Sequence, residues 1–373
     1  MELAFALFKY FPYGGLERDM LAMARVCQAR GHEVTIYTSA WQGERPEDMR
    51  VVELPVHART NHGRANAFVA RLREQLRDSK AVVVGFNKMP GLDFYYAADV
   101  CFAAKAFEER NFLYRLTPRC RHYMALERAV FGRSSKTRIL MISKPQIGVY
   151  QRYYQTQDER LHMLPPGIRR ERVMPADYNE QRVQLRQRYQ LGEEEFLLLL
   201  VGSDFKRKGL DRAIRALAQL PATLRRQVRL WVAGQDAEQP FLQLAKAEGV
   251  ADRVKILGGR DDISQLMWAA DVLLHPAYSE NTGTVLLEGM VAGLPVIASQ
   301  VCGYSHYIDE NELGAVLPDP VTPHSLASAI ETVLAQDDAV WRQRARDFAA
   351  KSDIFSMTER AAELIEAHDG ERA

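Results

Sequence analysis

Short apolar runs alternate with helical stretches along this chain in two consecutive series, and that alternation restricts the possible folds more than any other feature. The first series is ELAFALF, VTIYTS, VVELPV, AVVVGF and RILMIS; the second is FLLLLVG, RLWVAG, VKILGG, DVLLHP and PVIAS. Each run is followed by helical or loop material, so the strands are expected to form parallel sheets with helical crossovers. Two such series in 373 residues predict an α/β protein of two domains. Between them, HMLPPGIRRERV carries Pro165, Pro166 and Gly167 at the end of a strand, then a charged stretch to Tyr178, a composition that suits a linker. The expected domains are therefore 1–166 and 167–352.

The segment DVLLHPAYSENTGTVLLEGMVAGLPV, residues 271 to 296, reads as strand, loop, helix and strand. Glu280 and Glu288, with seven residues between them, frame a helix that starts near Gly283. The free backbone N–H groups of its first turn, from Asn281 through Thr282 and Gly283 to Thr284, point into one space. Carboxylates accept from sugar hydroxyls, and N–H groups at the positive end of the helix dipole receive an anion. A nucleotide sugar uses both. Helix capping by the same acids is the plainer alternative.

A second loop points to the same ligand. In LLLLVGSDFKRKGLDRAI an apolar strand runs into Gly202, and Lys206, Arg207 and Lys208 cluster just beyond its carboxyl end. Ligands of open α/β sheets bind outside those ends, where cations meet a diphosphate, although such a charge run also suits a solvated surface. Near the N-terminus, FPYGGLERDM forms a turn in which Gly14 and Gly15 permit positive φ and close approach of a ligand, or simply a tight turn into the helix that Gly31 ends. The turn has neither GxGxxG nor GxxxxGK[ST], which speaks against a nicotinamide, flavin or ATPase site.

Composition narrows the setting. With 47% hydrophobic residues and no uninterrupted apolar run near 20, no membrane span is expected, and the first residues lack the pattern of an export leader. Cys27, Cys101, Cys120 and Cys302 are scattered, as reduced cytosolic thiols would be, and the nine histidines include no HxxxH pair, so no metal is expected. Asp19 and Asp99 are candidate acids of the first half. Asp99 follows the aromatic run FYYAA, where desolvation would raise its pKa or the carboxylate would orient an acceptor hydroxyl; a cap or a salt-bridged core acid is the alternative. Residues 102–138 gather Lys105, Arg110, Arg115, Arg119 and further cations among Phe102, Phe107, Phe112, Tyr114, Tyr123 and Phe131, in a chain of net charge only +1. That mixture suits an anionic membrane surface, while the near-neutral balance and the lack of a recognised motif argue against nucleic acid.

Taken together, the GG turn, the Lys208-Gly209 pair and Glu-x7-Glu followed by GLPVIAS resemble the retaining glycosyltransferases of family 4. Within that family YFPYGGLERD, VVGFNKMPGLDFYYAADVC, FLYRLTPRCRHY, VGSDFKRKG, HPAYSENTG and VCGYSHYI resemble the lipopolysaccharide core glucosyltransferases of Gram-negative bacteria, over nearly the whole chain. The resemblance implies the GT-B fold, two Rossmann-like domains facing across a cleft, with residues 353–373 returning as a helix to the first domain. It implies a hexose moved from UDP-glucose to a heptose of the lipopolysaccharide core, by a cytoplasmic protein held peripherally at the inner membrane face, with no cofactor. Lys208 would contact the diphosphate, Glu280 the donor-sugar hydroxyls and Glu288 the ribose. Many members carry an arginine where this chain has Ser203, which leaves Arg207 to supply the second cation. Gly234, Gln235 and Asp236 would line the nucleotide pocket, with the uracil near Arg260. Transfer is expected by front-face attack, a donor phosphate oxygen taking the acceptor proton, with Asp99 orienting the acceptor. Asn281 and Thr282 stand where many relatives have small apolar residues, which leaves UDP-galactose or a UDP-N-acetylhexosamine as alternative donors. A GT-B epimerase acting on the donor alone, and a membrane protein with a relict nucleotide site, are the rival classes.

Overall fold

The computed structural model describes residues 1–12 and 14–372. The chain forms two compact units, Met1–Gly167 with Ser356–Ala373, and Ile168–Phe355.

In the first unit seven parallel strands form one sheet: β1 (Glu2–Leu7), β2 (Glu33–Thr38), β3 (Arg50–Glu53), β4 (Val82–Gly85), β5 (Phe94–Ala97), β6 (Arg138–Met141) and β7 (Leu161–Met163). Their order is β3-β2-β1-β4-β5-β6-β7, so the direction of winding reverses between β1 and β4. The second unit has β8 (Phe196–Val201), β9 (Val228–Ala233), β10 (Val254–Ile256), β11 (Val272–His275), β12 (Val296–Ser299) and β13 (Gly314–Leu317) in the order β10-β9-β8-β11-β12-β13, reversing between β8 and β11. Both sheets thus have the doubly wound order, in which the crevice for a ligand opens at the reversal.

The continuous apolar runs follow from this architecture, because a parallel sheet is covered on both faces. Leu197 to Leu200 of β8 are all fully buried and alternate between two apolar clusters, Leu197 and Leu199 on one face, Leu198 and Leu200 on the other. β5 and β13 were not among the expected strands. β5 is the aromatic run that precedes Asp99, and its Phe94, Tyr95, Tyr96 and Ala97 are all buried. The last helix, Met357–Arg372, packs in the first unit: Ala361, Ala362 and Ile365 join Met20, Met23, Ala24 and Cys27 of the helix Gly15–Ala29 in one cluster. Arg30 and His32 both bond Glu366, closing that contact at its polar edge.

Residues 102–131 form an irregular helical excursion between β5 and β6. Three short pieces, Phe102–Ala104, the π-turn Lys105–Glu109 and Phe112–Leu116, precede the longer helix Pro118–Phe131. Glu127, fully buried on that helix, accepts from the N–H groups of Phe102 and Ala103 at 2.8 and 2.9 Å, from Lys88 and from the Tyr154 hydroxyl. One carboxylate therefore ties the start of the excursion to its end. The aromatics divide: Phe131 is core, stacked on Tyr150 at 3.6 Å, whereas Phe107, Phe112, Leu113 and Leu116 are exposed.

Candidate active site

The loops after β8 and β11, the two strands that flank the reversal in the second sheet, are fastened to each other through their backbones. Tyr278 N–H donates to the Arg207 carbonyl at 2.8 Å, and the Arg207 guanidinium donates to the Ser279 carbonyl at 3.1 Å. Arg212, buried on the helix Leu210–Gln219, donates to the carbonyls of Pro276 and Ala277, both at 3.0 Å. Gly209 makes this approach possible. Its φ is +81°, and a Cβ there would lie 2.0 Å from the Pro276 carbonyl oxygen, so a side chain would force the loops apart. The Lys208-Gly209 pair is thus a cation followed by the residue that lets the cation reach the neighbouring strand.

That reach ends on Glu280. Its Oε2 is bonded by Lys208 Nζ, by Arg207 Nη1 at 3.2 Å and by His275 Nε2 at 3.3 Å. Burial alone would raise the Glu280 pKa, but the hydrogen bond from His275 and the charge of Lys208 outweigh it and hold the carboxyl well below the usual carboxylate range. His275 is fully buried at the end of β11, and burial, helped by Lys208 and Arg207, pushes its pKa down against the pull of Glu280. The imidazole is therefore neutral, with its Nε2–H donated to Glu280. The two cations face two carboxylates, Glu280 between them and Asp204 Oδ2 2.8 Å from Arg207 Nε, beside a helix N-terminus: Gly283, at φ +83°, caps the helix Thr284–Val291.

The remaining expected residues are distributed around this centre. Ser203 Oγ accepts from Gln235 N–H at 3.2 Å, joining the loops after β8 and β9; Gly234 N–H bonds the Gly258 carbonyl at 2.9 Å; and Asp236 Oδ2 accepts from Phe205 N–H at 2.8 Å. Asn281 is half-buried and Thr282 buried, the Thr282 carbonyl accepting from Tyr304 N–H at 2.8 Å. Glu288 is buried on the same helix with Arg172 Nε 3.5 Å away.

Arg260 is paired with both oxygens of Asp262, at 2.8 and 2.6 Å, while lining a pocket of about 260 Å³ with Tyr189 and Trp231. Two expectations change. Lys206 does not join the other two cations: its ammonium bonds Asp211 Oδ2 at 2.6 Å and lies 4.6 Å from the ring of Tyr278, because the buried Asp211 draws it the other way. In the first unit Gly14 and Gly15 do not use positive φ. Gly14 has φ −83° and caps the helix that Gly15 opens, and the room it leaves is filled by the Glu17 carboxylate, whose Oε2 would be 1.7 Å from a Cβ at that position.

Asp19 accepts from the Tyr96 hydroxyl at 2.9 Å. Asp99 is exposed, beyond the end of the buried β5 run, so the desolvation expected for it does not occur; its carbonyl accepts from the Tyr150 hydroxyl at 2.9 Å. The desolvated acid of this region is Glu17. Burial raises its pKa, its backbone hydrogen bond opposes, and Asp19 and Asp99 add to the rise. Among the described residues no group of three or more histidines, cysteines, aspartates or glutamates could hold a metal ion, and no helix is long and apolar enough to cross a membrane. A cavity of about 630 Å³ in the second unit, lined at β13 by Asp309, Glu312, Trp341 and Arg344, shares no residue with the Glu280 centre.

Lipopolysaccharide glucosyltransferase WaaG of Escherichia coli (strain K12) is 46% identical to this chain over 368 residues, 98% of each protein. The chain belongs to the WaaG family. A crystal structure of WaaG, described as a glycosyltransferase involved in lipopolysaccharide biosynthesis, superposes with a TM-score of 0.90 over 97% of this chain and 99% of that one. Family models match in tandem: Glycosyltransferase Family 4 over residues 13–172 and Glycosyl transferases group 1 over residues 181–351. Anabaena Alr3699/HepE, crystallised with UDP and glucose, shares the fold at a TM-score of 0.77 and 18% identity, over 98% of this chain and 100% of its own. The fold is GT-B, with a Rossmann-like parallel sheet in each unit.

His275 and Glu17 were not among the expected site residues. His275 stood in a quoted motif, HPAYSENTG, yet a lone histidine at a strand end carries no sign of what it will face. Glu17 looked like an ordinary first-turn acid of the helix after the GG turn.

Proposed function

We propose that this protein is a retaining glucosyltransferase that moves glucose from UDP-glucose to a heptose of the lipopolysaccharide core. The observation that carries the reading is the junction of Lys208 and Arg207 with Glu280 beside the N-terminus of the helix Thr284–Val291. As the anomeric carbon gains oxocarbenium character, charge builds on the departing diphosphate, and preorganised cations and N–H donors at that position lower the barrier. Lys208 and Arg207 supply the cations; the first-turn amides of the helix supply the donors. On donor binding, the diphosphate takes over Lys208 and frees Glu280 to accept from the sugar hydroxyls. Glu288 receives the ribose. The acceptor hydroxyl attacks from the face the diphosphate leaves, and a phosphate oxygen takes its proton, which retains the anomeric configuration without a carboxylate nucleophile.

Support for UDP-glucose and for the lipopolysaccharide acceptor comes from the 46% identity to a lipopolysaccharide glucosyltransferase along almost the full chain. Support for peripheral membrane binding comes from Phe107, Phe112, Leu113 and Leu116, exposed among Lys105, Arg110, Arg115 and Arg119. An exposed apolar cluster with a basic surround fits the interface of an anionic bilayer.

The test is UDP release by the purified protein with UDP-glucose, UDP-galactose, UDP-N-acetylglucosamine and UDP-N-acetylgalactosamine, each with and without heptose-terminated core. Acceptor-stimulated release from UDP-glucose above the other donors is expected. Equal release without acceptor, or a preference for another sugar, overturns the assignment.

A further inference from the structure

The first unit holds a pocket of about 240 Å³ at the carboxyl ends of β1 and β2 that the donor chemistry does not involve. Lys9 follows β1 and Ser39 follows β2; Asn61, Arg64 and Phe68 come from the helix Asn61–Gln75, and Tyr123 from the helix Pro118–Phe131. Its size is below the roughly 300 Å³ at which drug-sized sites begin, which suits a single sugar residue. The polar lining has one sign. Lys9 and Arg64 are cations, Ser39, Asn61 and Tyr123 are neutral, and no carboxylate lines the pocket.

Other cations of this unit are paired, Lys88 with Glu127 and Arg30 with Glu366, while the buried Arg160 is held by main-chain carbonyls. Among the described residues neither Lys9 nor Arg64 takes part in an ion pair; Arg64 only donates to Asn61 Oδ1. At the N-terminus of the helix Asn61–Gln75, Thr60 Oγ1 accepts from Gly63 N–H at 3.1 Å and satisfies one of the first-turn donors, so the helix end adds to the positive character of the two side chains. Two cations without a counterion, framed by a hydroxyl and an amide against the aromatic walls Phe68 and Tyr123, have the donor set of an anion site: an arginine fork and a lysine point charge.

The far wall adds a second indication of the ligand. Tyr123 lies 5.5 Å, ring to ring, from Phe102, and its helix begins directly after the exposed Phe112, Leu113 and Leu116. A cationic, polar pocket and an exposed apolar surface therefore occur on consecutive elements. A glycan that carries negative charge and is anchored by acyl chains matches both.

We propose that this pocket binds a phosphate or carboxylate borne by a sugar of the acceptor, with Arg64 and Lys9 as the anion ligands and the Asn61 amide as a neutral donor, while the Ser39 hydroxyl, which donates to the Phe8 carbonyl, completes the polar wall. The assignment rests on the reading of the acceptor as a lipid-linked glycan and gives that acceptor a required charge. Neither residue takes part in the donor chemistry.

The experiment is a calorimetric titration of the full-length protein saturated with UDP, so that the cations at Glu280 are occupied. Mannose 6-phosphate, glucuronate and uncharged mannose serve as probes, against wild type, Arg64→Gln and Lys9→Gln. Binding of at least one anionic probe about tenfold tighter than mannose is expected, with each substitution weakening it by about fivefold, the upper scale of one exposed ion pair. The phosphate and carboxylate arms identify which anion is preferred. Thermal unfolding profiles of both variants that match wild type show that the first unit, which carries both substitutions, is folded. Equal affinity for mannose and the anions, no binding of any probe, or anion binding indifferent to both substitutions overturns the proposal. Because the titration needs no turnover, it is independent of the UDP-release assay: failure of release with every donor rejects the transferase reading, and failure here rejects only the anion site.

Discussion

Lys208 and Glu280, 72 residues apart in the chain, form an ion pair between the loops after β8 and β11, where the strand order of the second sheet reverses. The pair is 12% exposed on both sides and is reinforced by Arg207 and His275. Its two members are assigned to different parts of one ligand, and this makes their substitutions separable. Lys208→Ala removes a cation from the diphosphate, so UDP affinity should fall by about tenfold and kcat by on the order of 100-fold or more. Glu280→Gln leaves Lys208 and Arg207 without their shared anion, so UDP should bind as tightly as before or more tightly while transfer is lost. Calorimetry with UDP and initial rates of transfer check both. A parallel loss of UDP affinity in the two variants would mean that Glu280 supports the loop instead of facing the sugar.

Gly209 offers a test of how the loops are fastened. Its positive φ costs an L-residue about 1–3 kcal/mol, and a methyl group would also overlap the Pro276 carbonyl. Gly209→Ala should lower the melting temperature of the second unit by about 5 °C, at about 2–4 °C per kcal/mol for a unit of this size. UDP affinity should fall with it, since Lys208 is carried on the displaced loop. An unchanged melting temperature would show that the loops separate without cost.

Much of this centre could be read from the chain because its parts lie at the punctuation of the fold. Lys208 and Glu280 each follow an apolar strand, and in a parallel sheet the residues after a strand are brought to a common edge whatever the rest of the chain does. What the residues after a strand then touch is decided by neighbours distant in sequence. Lys206 looked equivalent to Lys208 until Asp211 and Tyr278 claimed it. Asp99 looked desolvated because an aromatic run precedes it, yet burial ends with β5 and the acid emerges on the far side. β13 was missed for a related reason: Gly314–Leu317 is short and half-exposed at the sheet edge, so it lacks the run of apolar residues that marks a central strand.

The membrane assignment predicts an effect confined to the surface. Phe112 is 65% exposed and Leu113 71% exposed, so Phe112→Ser with Leu113→Ser removes little from the folded core, and solution stability should stay within about 0.5 kcal/mol. Insertion of an apolar side chain into a bilayer interface contributes up to about 1.5–3 kcal/mol, so co-sedimentation with anionic vesicles should weaken by at least about tenfold. Transfer to a soluble, deacylated acceptor should be unaffected. Equal vesicle binding by the double variant would exclude this surface as the contact.

His275 predicts a pH dependence with a definite sign. Burial keeps its folded pKa below the unfolded value of 6.5, so as pH falls the unfolded chain takes up a proton before the folded one does. The stability it contributes is fully present above about pH 6.5 and is lost as pH falls toward the folded pKa, with a slope of up to about 1.4 kcal/mol per pH unit. Glu280 has the same sign but acts lower, below its unfolded value of 4.5, because its folded pKa is also depressed. The two are therefore separable by their windows. His275→Gln keeps an N–H donor for Glu280 and removes the proton uptake. Urea unfolding of wild type and variant between pH 8 and 5 should show the curves parallel above pH 7 and the wild type falling more steeply below 6.5. If the difference between them were flat across that range, the imidazole would not be held neutral against Glu280, and the charge of the donor centre would have to be counted with His275 as a third cation.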